Sequence, residues 1–239
     1  MTTAAEHQTE TWLCLGLAFV GGYADAASYT LAGTFTGHIT GNSVLAAVSL
    51  ANHDWLLTIS RLLAVGVFLL GILLSSVVDR LVKRQPSRSP LTVALFLEAT
   101  LIFIAAGLSM DFHQAPNREL FIIFMCLALG VQNGALRKAN GISVHTTYVT
   151  GMVTKLLEHE FDQLKSDRGH RRIALPQTPP TDPTFRLLST VWFAFVLGAG
   201  AGAGMGLYFK SFTVTGVAFL LLLLAFFKLQ LSTRVPRNR

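Results

Sequence analysis

Long apolar runs, separated by short polar segments, dominate the pattern of hydrophobic and polar positions along the chain. A helix needs about 17–25 predominantly apolar residues to cross the hydrocarbon core of a bilayer, and six runs have that length. The pattern therefore predicts an all-α membrane protein with six transmembrane helices. The predicted spans are Trp12–Gly33, Trp55–Val78, Leu91–Met110, Leu120–Leu136, Phe185–Phe209 and Phe212–Leu229.

The segments outside these spans are polar. Residues 1–11 are predicted to form a cytoplasmic N-terminus, residues 165–184 a proline-rich linker with little regular structure, and residues 231–239 a basic tail. Only Lys210 and Ser211 separate the last two spans, which predicts a tight helical hairpin.

Basic residues follow the second and fourth spans and close the chain. All but three of the 19 Lys and Arg residues lie in these regions, and the exceptions are Arg61, Arg118 and Lys210. Because cytoplasmic loops carry the excess of Lys and Arg, both termini are predicted to lie in the cytoplasm.

Composition agrees with a membrane protein. Hydrophobic residues make up 51% of the chain and charged residues only 13%, against about 25% charged in soluble domains. The net charge of +6 does not indicate nucleic-acid binding, because the basic residues flank helices, where anionic lipid accounts for them. The expected partner is the lipid bilayer, and a homodimer is a further option for a 25.9 kDa chain.

Two glycine-punctuated polar passages resemble each other. They are GYADAASYTLAGTFTGHITGN (Gly22–Asn42) and GVQNGALRKANGISVHTTYVTG (Gly130–Gly151). One constant shift aligns Gly22 with Gly130 and Asp25 with Asn133, before a short insertion in the second passage. The sequence therefore contains two related halves.

The halves are predicted to be residues 12–110 and 120–230, with three spans in each. FLLG at residues 68–71 resembles FVLG at residues 195–198, which extends the similarity. Because three is odd, the second half enters the membrane from the opposite side, and a pseudo-twofold axis in the membrane plane relates the halves. Chance similarity between glycine-rich apolar segments is the alternative.

The first passage, read on through GYADAASYTLAGTFTGHITGNSV, resembles the signature of the YoaK-type bacterial membrane proteins, catalogued as domain of unknown function 1275. The resemblance rests on the glycine–aspartate segment of the first span and on a downstream Thr-Gly-Asn, residues Thr40–Asn42. It covers nearly the whole chain. It implies a multi-pass protein of the bacterial inner (plasma) membrane with about six helices, and it implies little about activity.

Asp25 is the first candidate site residue. An ionised carboxylate inside a span costs at least about 2.5–3.5 kcal/mol, so a cation, a proton, hydrogen bonds or water must offset it. Asn133, at the aligned position, keeps the shape without the charge. If the halves face each other, the two residues meet near the midplane and could hold one cation, one proton or one polar solute. The alternative is an aspartate that only links two helices.

The segment Gly33–Asn42 is rich in glycine and threonine, which are poor helix formers, and it predicts a break in the helix. Thr40 is predicted to cap a short helix from about Gly41 to Ala51, with Thr40 and Asn42 in the binding site. Thr150 would act likewise in the second half. Close packing of helices through small residues is the alternative.

Two further charged residues lie within predicted spans. Glu98, in the third span, is a candidate proton-coupling site with no acidic counterpart in the last span. Arg61, in the second span, either extends to the outer surface or forms an ion pair with Asp25 or Glu98.

No catalytic signature is present, so the chain is not expected to be an enzyme. His38 and His145 lack a Cys/His/acid cluster at ligand spacing, and neither a metal nor a cofactor is expected. The glycine run Gly198–Gly206 resembles a dinucleotide loop, but it lies inside an apolar helix and is predicted to pack against another helix.

The sequence therefore predicts a small secondary transporter of a polar or ionic solute. Its site would lie at the midplane between the first and fourth spans, with proton coupling through Asp25 or Glu98 as an option. This prediction rests on analogy of architecture, which does not establish function. The alternative is a non-transporting scaffold or sensor that binds partner helices.

Overall fold

Helices form nearly all of the computed structural model, which describes residues 4–84, 89–112, 115–136, 138–139, 142–143, 154, 183–210 and 212–234. Within these residues the main helices are α1 (Ala4–Ala32), α2 (Ile39–Ala51), α3 (Trp55–Lys83), α4 (Pro90–Ser109), α5 (Ala115–Ala135), α6 (Pro183–Phe209) and α7 (Phe212–Arg234). Two short strands, β1 (Lys138–Ala139) and β2 (Ile142–Ser143), pair antiparallel after α5.

Five of the described helices, α3 to α7, are long and apolar enough to cross a membrane. Their outer faces expose large apolar side chains such as Leu56, Leu69 and Leu197, as contact with lipid requires. α2 has 13 residues and is too short to cross. α1 has 29 residues, but Tyr23 and Asp25 interrupt its apolar sequence. The described residues form a mainly helical, multi-pass membrane protein.

Three helix ends differ from the sequence prediction. α1 begins at Ala4 rather than Trp12, because the alanines, glutamates and glutamine of this segment favour a helix without making it apolar. α6 begins at Pro183, inside the predicted linker, and proline is favoured in the first turn of a helix. The linker from 165 to 182 lies outside the described residues. α7 continues to Arg234, into the predicted tail.

α1 packs against α6 more extensively than any other two described helices pack together. Glycines make this possible, because a Cβ at these positions would overlap the backbone of the facing helix. The close pairs are Gly22 with Phe195, Gly198 with Phe19, and Gly202 with Tyr23. From Phe19–Gly198 through Tyr23–Gly202 to Thr30–Gly206, the contacts advance in the same direction along both helices, so α1 and α6 run parallel. The prediction that the glycine run packs against another helix is confirmed.

α3 and α5 form a second close crossing of the same kind. Here too, an added Cβ would meet the facing backbone or side chain at under 3 Å. The close pairs are Gly130 with Phe68, Gly71 with Leu127, and Gly134 with Ser75. From Phe68–Gly130 to Ser75–Gly134, the contacts advance in the same direction along both helices, so α3 and α5 run parallel.

α4 packs against both α5 and α7. Phe96 and Phe103 of α4 meet Phe226 and Phe219 of α7 edge to face, with ring centroids 5.3 and 5.2 Å apart, so α4 and α7 run antiparallel. α6 and α7 are joined by a turn at Lys210, whose φ is 47°. They pack mainly against α1 and α4, so the predicted tight hairpin exists at the turn but not along the helices.

Candidate functional site

The helix break predicted after the first span lies between α1 and α2. α1 ends at Ala32, and Gly33 has a φ of +65°, a conformation that glycine adopts without steric cost. Residues 33–38 then fold back as a loop before α2 starts at Ile39. We call residues 33–38 the return loop.

The carboxylate of Asp25 holds the return loop against α1. Its Oδ1 accepts hydrogen bonds from the backbone N–H groups of Thr36 and Gly37, both at 2.7 Å. Its Oδ2 forms a short hydrogen bond with Nδ1 of His38. Asp25 is only 3% exposed, so this buried carboxylate has its partners within the chain. Hydrogen bonds from the loop offset the cost of burial.

His38 lies in the return loop, outside the spanning helices. The hydrogen bond with Asp25 raises the pKa of the imidazole, although partial burial acts in the opposite direction. Its ring also lies 6.0 Å from that of Phe195 on α6, in an edge arrangement. His38 therefore joins the break in α1 to the helix that packs beside α1.

Asn42 fixes the return loop from the other side. Its Nδ2 donates to the carbonyl oxygen of Phe35 at 2.6 Å, and its Oδ1 accepts from the N–H of Phe35 at 3.1 Å. Asn42 is 2% exposed, and the ring of Phe35 stacks on Tyr29 at 4.4 Å. Asn42 thus takes both backbone polar groups of one loop residue.

The predicted capping role of Thr40 is wrong. α2 begins at Ile39, with His38 as the residue before its first turn and with no side-chain cap, and Thr40 is exposed. The reason is that the helix starts two residues earlier than predicted, so Thr40 lies within its first turn rather than before it. Thr150, the matching residue of the second half, lies outside the described residues.

Arg61 binds α2 instead of an acidic side chain. Its Nη1 donates to the carbonyl oxygen of Leu45 at 2.6 Å and forms a short hydrogen bond with Oγ of Ser49. Arg61 is 7% exposed, and its Nε has no hydrogen-bond partner among the described residues. Within the part of the chain that the structure describes, the predicted ion pair with Asp25 or Glu98 is not formed.

Glu98 is completely buried in α4, at 0% exposure. Among the residues that the structure describes, neither carboxyl oxygen has a hydrogen-bond partner. Glu98 and Asp25 are therefore opposite cases, since the carboxyl group of Asp25 makes three hydrogen bonds.

The region of Asn133 contains a residue that sequence reasoning missed. Gln132, buried in α5, donates from Nε2 to the carbonyl oxygen of Leu17 on α1 at 2.9 Å. Asn133 itself is half-buried beside it. The signal was present in the sequence, as an amide side chain within an apolar span.

Two cavities lie at opposite ends of the described helices. The first, of about 400 Å³, lies where α3 and α5 end and α4 begins, and its lining includes Asp79, Lys83 and Ala94. The second, of about 430 Å³, lies where α1, α4 and α6 end, and its lining includes Thr30 and Lys210. Asp25, Glu98 and Asn133 line neither cavity.

Metal-ligating groups do not gather in the described residues, where no three His, Cys, Asp or Glu side chains lie close enough to hold an ion. Cys14 and Cys126 are both buried and free. The polar site is therefore built from the return loop, Asp25 and Asn42.

Comparison with known proteins identifies relatives along most of the chain. The family model described as "Protein of unknown function (DUF1275)" matches residues 13–227. The UPF0700 transmembrane protein YoaK of Bacillus subtilis (strain 168) is 30% identical over 160 residues, which cover 66% of this chain and 69% of that protein. No solved structure matches.

Proposed function

The chain belongs to the DUF1275 family, and from the geometry of its helices we propose that it is a secondary transporter of a small polar or ionic solute. It would be an inverted repeat of three plus three crossings in the bacterial inner membrane, with both termini in the cytoplasm. The solute would bind between α1 and α5, next to the return loop.

The observation that carries this proposal is the equivalence of the two glycine crossings. When the two polar passages are aligned in sequence, the α1 residues of one crossing align with the α5 residues of the other. When FLLG is aligned with FVLG, the α3 residues align with the α6 residues. The equivalent positions are Phe19 and Leu127, Gly22 and Gly130, Phe68 and Phe195, and Gly71 and Gly198. Chance similarity of sequence gives no reason for the same contacts to recur.

The directions of the helices support α1 as a sixth crossing. α1 packs parallel to α6 over the stretch from Phe19 to Thr30, against Gly198 to Gly206. A helix that follows a candidate span over this length passes through much of the same thickness of bilayer. The antiparallel packing of α4 against α7 agrees with six alternating crossings.

The two cavities also fit the proposed repeat. The alignment of α3 with α6 makes Lys83 equivalent to Lys210. Lys83 lines the first cavity, and Lys210 lines the second. Alternating access needs a route to a central site from each side of the membrane in turn, and one cavity lies at each end of the helices.

A non-transporting scaffold is the second candidate, and one observation favours it. Asp25 has all its partners within the chain and lies in neither cavity. A carboxylate whose only task is to fix the return loop would look the same.

A flux screen of small polar solutes in proteoliposomes tests the proposal. Wild type should move at least one solute, and Asp25→Asn should slow that flux. Asp54→Asn is the matched control, because Asp54 caps α3 by accepting from Leu57 N–H and asparagine caps a helix equally well. Equal flux in all three proteins would leave Asp25 without a role in transport. No flux above empty liposomes for any solute would favour the scaffold.

Cysteine labelling tests the proposed orientation. Arg84→Cys, after α3, should react with an impermeant thiol reagent only from the cytoplasmic side, and Asp111→Cys, after α4, only from outside. The native Cys14 and Cys126 are buried, which keeps the background low. Labelling of both positions from one side contradicts the alternating crossings.

A further inference from the structure

The buried carboxyl group of Glu98 lies where a charge has nothing to balance it. The residue is 0% exposed, and neither Oε1 nor Oε2 has a hydrogen-bond partner in the part of the chain that the structure describes. Its near neighbours along α4 are the buried apolar residues Leu95, Ala99 and Ile102. An isolated carboxylate is much less stable in such surroundings than the neutral acid, so the carboxyl group takes up a proton.

Within the described parts of the neighbouring helices, no positive group forms an ion pair with Glu98. The helices packed against α4 are α3, α5 and α7. None of the described ion pairs includes Glu98, and no group of side chains around it could ligate a metal ion. The titratable side chains described on those three helices are Arg61, Asp79, Arg80, Lys83, Arg118, Glu119, Cys126 and Lys228.

The first cavity comes within one helical turn of Glu98. Ala94, one helical turn before Glu98, lines this cavity together with Ser75, Asp79 and Lys83. Residues four apart lie on the same face of a helix, with Cβ atoms about 5–6 Å apart. Glu98 is therefore one turn deeper than the cavity wall, on the face that the cavity reaches.

The second half of the chain carries no equivalent acid. The sequences of α4 and α7 can be aligned so that Phe96 and Phe103 match Phe219 and Phe226. In this alignment, Glu98 matches Leu221. Leu221 is also fully buried, at 0% exposure. The position is one that an apolar side chain fills, so an acid there is not needed for packing.

We propose that Glu98 is a proton-binding site and that H⁺ is the coupling ion, taken up through the first cavity. This inference rests on the proposed transport function and assigns its driving ion. In the step, a carboxylate oxygen of Glu98 forms an O–H bond with a proton from a hydronium ion in the cavity, which leaves water behind. The reverse transfer, to water on the other side, releases the proton after the helices rearrange.

Labelling with dicyclohexylcarbodiimide tests this site without knowledge of the solute, because this apolar reagent adds to protonated carboxyl groups within membranes. The full chain in liposomes should carry the adduct on the peptide that contains Glu98, and labelling should fall as the pH is raised. Glu98→Gln should lose the adduct, and Asp25→Asn should keep it. Absence of an adduct on Glu98 at every pH, in protein that elutes as a single species, overturns the proposal.

Two further measurements separate this site from transport itself and from a structural role. Glu98→Leu should unfold at a higher temperature than wild type, because it replaces an unpartnered acid with the residue found at the equivalent position. It should also lose any response of solute flux to an imposed pH gradient. Flux that still responds to the gradient in Glu98→Leu overturns the proton site and leaves transport standing. Labelled Glu98 in a protein without flux contradicts transport alone.

Discussion

Substitution of Gly198 by alanine should destabilise the protein, although alanine is the better helix former. An added Cβ would lie 2.8 Å from the carbonyl carbon of Phe19, whereas carbon atoms in contact lie about 3.5–4.0 Å apart. α1 and α6 would have to separate by roughly 1 Å along their largest interface. Overpacking of this kind costs about 1–3 kcal/mol, and the helix propensity of alanine returns about 0.5–1 kcal/mol. The expected net loss is about 1–2 kcal/mol.

Gly200, in the same helix, is the matched control, because a Cβ there would meet nothing within 4 Å. Gly200→Ala should hold or raise stability by up to about 1 kcal/mol. Thermal unfolding in detergent can be followed with a thiol-reactive dye, since Cys14 and Cys126 are buried until the helices separate. Gly198→Ala should lower the midpoint by about 2–8 °C. A midpoint equal to or above that of Gly200→Ala would refute the close crossing.

Three further substitutions test the return loop and α2. Asn42→Ala leaves the N–H and C=O of Phe35 without their side-chain partner, so stability should fall by about 1–3 kcal/mol; an unchanged thermal midpoint contradicts this. The hydrogen bond between His38 and Asp25 raises the pKa of His38. Its stabilising effect on the fold is therefore complete below the ordinary histidine pKa of about 6.5 and is lost as the pH rises through the raised pKa. The midpoint gap between wild type and His38→Gln should therefore be wider at about pH 5.5 than at about pH 9, and an equal gap refutes the pairing. Arg61→Ala removes both hydrogen bonds to α2, so amide exchange should quicken in α2 and not in α7; unchanged exchange in α2 contradicts the contact.

Hydropathy predicted α3 to α7 well because bilayer thickness fixes the length of an apolar span, and length and composition are local properties of the sequence. The same method missed the first residues of α1, from Ala4 to Thr11, since they are helical but polar. The break at Gly33 was also predictable, because glycine and threonine disfavour a helix wherever they cluster.

The contacts of the site were not predictable, because they join residues far apart in the chain. Nothing in the sequence around Thr40 indicates that the N–H groups of Thr36 and Gly37 donate hydrogen bonds to Asp25. An acidic partner was likewise predicted for Arg61, because charged side chains are visible in a sequence. The carbonyl oxygen of Leu45 is not visible in that way, because every residue has one.

The closed return loop limits what the proposed solute can be. Asp25 accepts two backbone hydrogen bonds and binds His38, and hydrogen bonds to a charged group contribute about 1.5–3 kcal/mol each. A transporter can alternate between two conformations only if their free energies differ by no more than a few kcal/mol. In the proposed mechanism, the return loop can therefore move away from Asp25 only if the solute takes the place of the loop's N–H donors. This requirement selects a solute with N–H or O–H groups or a positive charge. Asp25→Asn keeps an acceptor for Thr36 and Gly37, whereas Asp25→Leu leaves both N–H groups unpartnered. Thermal stability should fall from wild type to Asp25→Asn to Asp25→Leu. If Asp25→Leu unfolds at the wild-type temperature, the loop is not held by this carboxylate and the restriction on the solute is lost.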